Sequence, residues 1–130
     1  MSKSHLTKNV IEVTEITRFF LLFQSQLRLY HWQTKVFARH KASDELISSV
    51  VELSDRFIET LIGKLNARPR LIGSFKKIHD FTDKTIEDYL RECVLYLMNI
   101  DIIKDDPALL TIRDELVSAI YKTLYLFTFT

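Results

Sequence analysis

Four residues in one stretch of the chain have the types and spacing that metal chemistry needs. The segment LRLYHWQTKVFARHKASDELISSVVELSDRFIETLIG holds His31, His40, Asp55 and Glu59. Asp55 and Glu59 are four apart, a spacing that puts both side chains on one face of a helix. Asp55 falls in an apolar stripe of Ile47, Val51, Ile58 and Ile62, so the carboxylate pair is expected to face inward. Two carboxylates so placed repel each other and are costly to bury unless a cation or hydrogen-bond donors compensate. A divalent metal supplies that charge. His31, at the end of one helix, and His40, ahead of the next, add neutral nitrogen ligands. Nitrogen and carboxylate ligands with open positions suit iron better than a closed structural zinc site.

Long helices must carry these residues. Residues 1–9 are polar and lack periodicity, and read as a flexible N-terminal tail; residues 10–130 read as one domain. Ile16, Phe20, Phe23, Leu27 and Tyr30 recur at spacings of three and four, which predicts a first helix from about Glu12 to the low thirties. A second helix is expected over about Ser43 to Leu65, with Ser43 as its cap. Pro69 and Gly73 mark an irregular connection. Thr82 or Thr85 can cap a third helix, Thr85 with Asp88 resembling a short capping box. Ile86, Tyr89, Leu90, Cys93, Val94 and Leu97 form its buried face, and it is expected to end near Ile103. Asp106 followed by Pro107 is a strong start signal for a fourth, with Leu109, Ile112, Leu116, Ile120, Leu124 and Phe127 turned inward. The closing YKTLYLFTFT has strand propensity, but it continues the helical period and is read as helix.

Composition supports an all-α chain. Its 130 residues include only 2 Gly and 2 Pro, too few for the tight turns of a sandwich or barrel. A hydrophobic content of 47% with 27% charged residues suits a globular domain rather than a disordered one. The net charge of +1 demands neither nucleic acid nor an anionic membrane as partner. The lone Cys93 has no intrachain bridging partner, which fits a reducing, cytoplasmic setting. No apolar run approaches the roughly 20 residues of a membrane span. Four amphipathic helices of about 20 residues make a four-helix bundle. The run Phe19–Phe23 is apolar almost all round, a surplus that points to homo-oligomerisation.

The same segment resembles the Dps-like branch of the ferritin-like superfamily, the miniature ferritins of starved cells. The resemblance rests on His31-Trp32 closing the first helix, on His40 opening the second, and on Asp55-Arg-Phe-Ile-Glu59 within it. It covers about 40 residues strongly and extends further as bundle topology. It implies a ferritin-like fold and non-haem iron bound by His31, His40, Asp55 and Glu59, which would be both metal ligands and catalytic residues. It also implies that the histidines and carboxylates come from different subunits across a two-fold interface. There iron is oxidised with peroxide or oxygen, and the family stores the mineral in a twelve-subunit shell. The segment between the histidines is shorter here than in the family and lacks its glycine, and the chain itself is short. The expected assembly is therefore at least a dimer, with the cage as an alternative. The compact form HWQTKVFARHKASDEL is also similar to small proteins of large viruses and phages, which would place the chain in a virion or host cytoplasm.

Other features carry less. Glu92 and Glu115 are candidates for a site inside one bundle, but neither belongs to a Glu-x-x-His pair. Lys3 and Lys8, and the basic run of Arg68, Arg70, Lys76, Lys77 and His79, offer few phosphate contacts, so DNA binding is expected to be weak or absent. Trp32 is expected to pack the end of the bundle and shield the site. The five tyrosines read as core or interface aromatics. A non-catalytic structural or interaction bundle, for example of a viral particle, is the rival reading.

Overall fold

A computed structural model describes the backbone of residues 3–70 and 77–130, and the side chains from Lys8 onward within them. Among these residues there are four α-helices and no strand: α1 (Lys3–Gln33), α2 (Phe37–Leu65), α3 (Thr85–Met98) and α4 (Pro107–Leu126), with a short 3-10 turn at Asp101–Ile103. The expected all-α bundle is what the chain forms.

The helix faces follow the apolar spacing. Ile16, Phe20, Phe23, Leu27 and Tyr30 of α1 are all buried, as are Leu109, Ile112, Leu116, Ile120, Leu124 and Phe127 along and just after α4. Phe20 meets Phe57 edge to face at 5.4 Å, and Phe23 meets Tyr89 at 6.0 Å, so α1 packs on both α2 and α3. Cys93 of α3 is buried, and desolvation pushes its thiol up to about 12.

Several boundaries differ from the sequence reading. The first helix starts at Lys3 rather than near Glu12, so the polar stretch read as a tail continues it. Buried Asn9 donates to the Leu65 carbonyl at 3.4 Å. The second helix starts at Phe37, which puts Ser43 inside it, buried, rather than at its cap. α2 ends on Asn66, whose left-handed backbone (φ 50°) lets its amide reach the Ile62 carbonyl, a conformation Asn tolerates better than most residues. The start of α3 is secured by Thr82 and Thr85, not by Thr85 and Asp88. Thr82 Oγ1 accepts from the Thr85 amide at 3.1 Å, and Thr85 Oγ1 accepts from the Thr82 amide at 2.8 Å, the reciprocal logic of a capping box. The third helix stops at Met98, short of Ile103, and hands over to the 3-10 turn. At α4 the reading holds: Asp106 accepts from the Leu109 amide at 3.0 Å with Pro107 in the first turn.

Pairs across the bundle fix the direction of each helix. His31 contacts Ser43, Gln24 contacts Ser54 and Asn9 contacts Leu65, so α1 and α2 are antiparallel. Arg39 at the start of α2 pairs with Glu87 at the start of α3 at 2.8 Å, so these two helices run the same way. Lys64 meets Asp106 at 2.8 Å and Tyr30 meets Phe127 at 5.8 Å, so α4 returns antiparallel to α2. The parallel pair α2 and α3 therefore needs a long crossover from one end of the bundle to the other. Described residues at both ends of the crossover are bonded to α1. The Arg70 amide donates to Thr14 Oγ1 at 3.0 Å, and Gln26 clamps His79 through both the backbone amide (2.6 Å) and carbonyl (2.8 Å).

Helix α2 carries two apolar stripes. Leu46, Val50, Leu53, Phe57 and Leu61 are buried in the core. The neighbouring stripe of Ile47, Val51, Ile58 and Ile62 lies at its margin: Ile47 is buried, Ile58 and Ile62 are half-buried, and Val51 is 46% exposed. Phe57→Ala removes a ring that is 0% exposed and should cost about 3–5 kcal/mol in a urea unfolding series. Asp55→Ala, on the outer side of the same helix, should change stability by no more than about 0.5 kcal/mol; a loss several times larger would place its side chain inside.

Candidate functional site

The three-residue link between α1 and α2 brings His31 and His40 together. Their rings stack at 4.0 Å between centroids with an interplanar angle of 15°. Nδ1 of His31 lies 2.8 Å from the His40 carbonyl, and Nδ1 of His40 lies 2.9 Å from the His31 carbonyl. A carbonyl oxygen only accepts, so each Nδ1 carries the proton and donates. In the neutral rings both Nε2 atoms are then left with a lone pair. Ser43 completes the corner, its Oγ donating to the His40 carbonyl at 3.0 Å and lying 3.0 Å from His31 Nδ1. Donation of one ring N–H to a backbone carbonyl, with the other nitrogen free, is the arrangement that prepares a histidine to bind metal.

Asp55 and Glu59 are not inward-facing as the sequence suggested. Both are exposed on the outer side of α2. The stripe that contains Asp55 is the marginal one, about 100° round the helix from the row that fills the core. The two carboxylates do share a face, one turn apart. They stand far from the histidines of their own chain: Asp55 is fifteen residues beyond His40 on the same helix, about 22 Å at roughly 1.5 Å per residue. Among the described residues no three His, Cys, Asp or Glu side chains come close enough to hold one metal ion.

A shallow apolar surface runs along α1 and α2 from Asp55 to Trp32. A cleft of about 450 Å³ lies between Leu21 and Gln24 of α1 and Val51, Asp55 and Ile58 of α2. A second, of about 490 Å³, continues from Gln24 and Val51 to Leu29, Trp32, Ile47 and Ile78. Trp32 is 70% exposed at its rim, rather than packed on the bundle end as expected. Near the histidines Arg28, Lys35 and Lys41 are exposed, with Asp44 and Glu45 one turn on; further along α2 Glu52, Asp55 and Glu59 are exposed, with Arg56 among them.

The remaining candidates are dispersed. Glu92 is exposed, and exposed Glu115 pairs with Arg56 at 3.3 Å. Lys8, Arg68, Arg70, Lys77 and His79 are exposed, while Lys76 and the Lys3 side chain lie outside the described residues. Among the tyrosines, Tyr30 is buried, Tyr96 stacks on Phe19 at 3.9 Å, and Tyr121 and Tyr125 are exposed. No described helix is long and apolar enough to cross a membrane.

The sequence reading missed the polar cluster beside the histidines. Tyr30 Oη donates to Asp83 Oδ1 at 2.6 Å, Thr34 Oγ1 donates to the same atom at 2.9 Å, and Arg39 reaches the Asp83 carbonyl at 2.6 Å. Its one signal was positional: Tyr30 and Arg39 each precede a candidate histidine.

Comparison with known proteins places the chain in one family. Residues 31–127 match a family of unknown function (DUF5856), and the chain belongs to it. The matched stretch begins at His31 and includes all four candidate residues. No curated protein and no solved structure matches the chain significantly.

The hydrogen bond from Tyr30 holds the Asp83 carboxyl below the usual carboxylate range. A carboxyl depressed by folding contributes stability that is present above its unfolded value and is lost as pH falls through the folded one. Asp83→Asn should therefore flatten the loss of stability between about pH 5 and pH 3, read by urea midpoints. The flattening should be partial, because Asp106 is lowered too, by Lys64 and the Leu109 amide. An acid limb unchanged by Asp83→Asn would show that this carboxylate is not coupled to folding.

Proposed function

We propose that two copies of this chain pair through the α1–α2 face and bind iron between them, with His31 and His40 from one copy and Asp55 and Glu59 from the other. The chain is then a ferritin-like, Dps-like protein that oxidises Fe(II) with peroxide or oxygen, in the service of iron storage or oxidative protection. The observation that carries this reading is the reciprocal donation of His31 and His40 to each other's carbonyls, which leaves both Nε2 atoms as ready ligands.

Three further features support it. A two-fold axis that sets His40 opposite the partner's Asp55 must cross α2 midway between them, at Ile47 and Ser48. That is where the cleft of Leu29, Ile47 and Val51 leaves apolar surface uncovered. The same rotation brings Arg28, Lys35 and Lys41 of one copy toward the acidic residues around Asp55 of the other, a complementary pairing made twice in an isologous interface. A single long crossover joining α2 to α3 is also the connection of ferritin-like bundles.

The chemistry follows from the donor set. Two carboxylates offset the charge of Fe(II), and an imidazole nitrogen completes a set with open positions for the oxidant; the two rings lie in near-parallel planes 4.0 Å apart, so each Nε2 serves its own ion. Carboxylate oxygens are hard donors and favour the Fe(III) product over Fe(II), which helps the electron leave. Peroxide accepts two electrons, so two Fe(II) and two protons are consumed for each peroxide reduced to two waters. The iron is substrate and cargo, and the protein supplies place, charge and access. DNA has no part in this reading.

The non-catalytic interaction bundle is the second reading, favoured by the exposed apolar residues Leu95, Met98, Tyr121 and Tyr125 on α3 and α4. Anaerobic Fe(II) titration, followed by peroxide or oxygen, separates the two. Wild type should bind saturably and oxidise faster than Asp55→Ala or His31→Ala, with the helical signal retained in all three. Mixing the two variants should restore binding to about a quarter of the wild-type sites, since half the dimers are mixed and each holds one intact site. Failure of wild type to bind Fe(II), or of the mixture to regain it once mixed dimers have formed, defeats the intersubunit assignment.

A further inference from the structure

One residue of the crossover holds both ends of the α1–α2 corner. Asp83 Oδ1 accepts from Tyr30 Oη at 2.6 Å and from Thr34 Oγ1 at 2.9 Å, which fastens the end of α1. The Asp83 carbonyl accepts from Arg39 Nη1 at 2.6 Å, which fastens the first turn of α2. Arg39 also donates to Tyr30 Oη at 3.2 Å and to Glu87 at 2.8 Å, and its guanidinium lies 4.6 Å from the Phe127 ring centroid. Tyr30 and Arg39 are the residues directly before His31 and His40. The stack of the two imidazoles needs both helix ends held in one rotation, because each Nδ1–H must reach the other residue's carbonyl. Nothing in the three-residue link Thr34–Val36 fixes that rotation by itself. The link contains no proline, and its internal side-chain bond, from the Val36 amide to Thr34 Oγ1, is 3.3 Å long.

We propose that Asp83 is a positioning residue for the metal-binding nitrogens: by fastening Tyr30, Thr34 and Arg39 it keeps His31 and His40 as stacked Nδ1–H tautomers with both Nε2 lone pairs free. Its functional weight rests on the iron reading above, whereas its structural half concerns the metal-free chain alone. Asp83 touches neither imidazole in this account. It acts through the two residues that precede them, and through a segment 43 residues beyond His40 in the chain.

Side-chain ¹⁵N NMR of the metal-free protein reads the tautomer of each ring, and Co(II) titration followed by absorbance reads affinity without oxidation. Asp83→Ala removes the carboxylate bonds to Tyr30 and Thr34, leaves the carbonyl bond to Arg39, and should mix Nδ1–H and Nε2–H forms at His31 most and at His40 through the stack. It should also weaken Co(II) binding by up to about 10-fold, the lower end of the loss seen when a group bonded directly to a metal ligand is removed, with helical content retained. Asp83→Asn keeps an acceptor oxygen for Tyr30 and Thr34, and should restore the tautomers and most of the affinity. Should Asp83→Ala fail to fold, Thr34→Val removes a single bond to the same carboxylate and should show the same effect in smaller measure. Unchanged tautomers in the folded variant overturn the proposal, as does unchanged Co(II) affinity in a chain whose tautomers have shifted. If wild type binds no Co(II), the iron reading fails, while the tautomer comparison still decides the role of Asp83.

Discussion

The corner between α1 and α2 depends on an exchange of hydrogen bonds between two histidines, each giving its Nδ1 proton to the other's backbone carbonyl. The exchange meets two needs at once. The His31 carbonyl, among the last of α1, is supplied with a donor where the chain reverses, and the His40 carbonyl, within α2, accepts an added bond. The rings themselves are fixed face to face in one tautomer. A histidine pair used only as a helix staple has no need of a free second nitrogen, and one used only as a ligand pair has no need to satisfy the backbone. Here the same geometry closes the hairpin and leaves a lone pair on each Nε2.

That corner is braced from outside the hairpin. The crossover carries Asp83 to it, and α3 and α4 carry Glu87 and Phe127 to Arg39. Desolvation is the largest influence on Tyr30, raising its phenol above the ordinary value, and the bond to Asp83 adds to it. Proton placement in the cluster is therefore unambiguous: the phenol donates and the carboxylate accepts. Asp55 and Glu59 stand exposed on a regular stretch of α2 held by the core row beneath them. The histidine corner is built by a network and the carboxylate pair by helix regularity alone.

Much of this was legible in the sequence, for definable reasons. Helix faces follow from spacing, and every apolar residue assigned inward on α1 and α4 is buried. The Asp106-Pro107 start was readable because its chemistry is local. Boundaries failed where chemistry is tertiary: Ser43 looks like a cap, yet is held inside α2 by the histidine corner. Asp55 was misplaced because α2 has two adjacent apolar stripes, and periodicity alone does not tell which one faces the core. The crossover partners of Tyr30 and Arg39 lie 53 and 44 residues away, a separation at which no local pattern links them. The pairing of His31 with His40 was expected as shared ligands, but their mutual hydrogen bonding was not.

Burial of Cys93 has a chemical corollary. Desolvation raises this thiol well above its ordinary value and so disfavours the thiolate, the form that oxidants attack. The one sulfhydryl of the chain is thus kept chemically inert by its surroundings. A bundle whose proposed work brings peroxide to its surface would not spend its own sulfur on that reagent, nor become cross-linked through it to a neighbour.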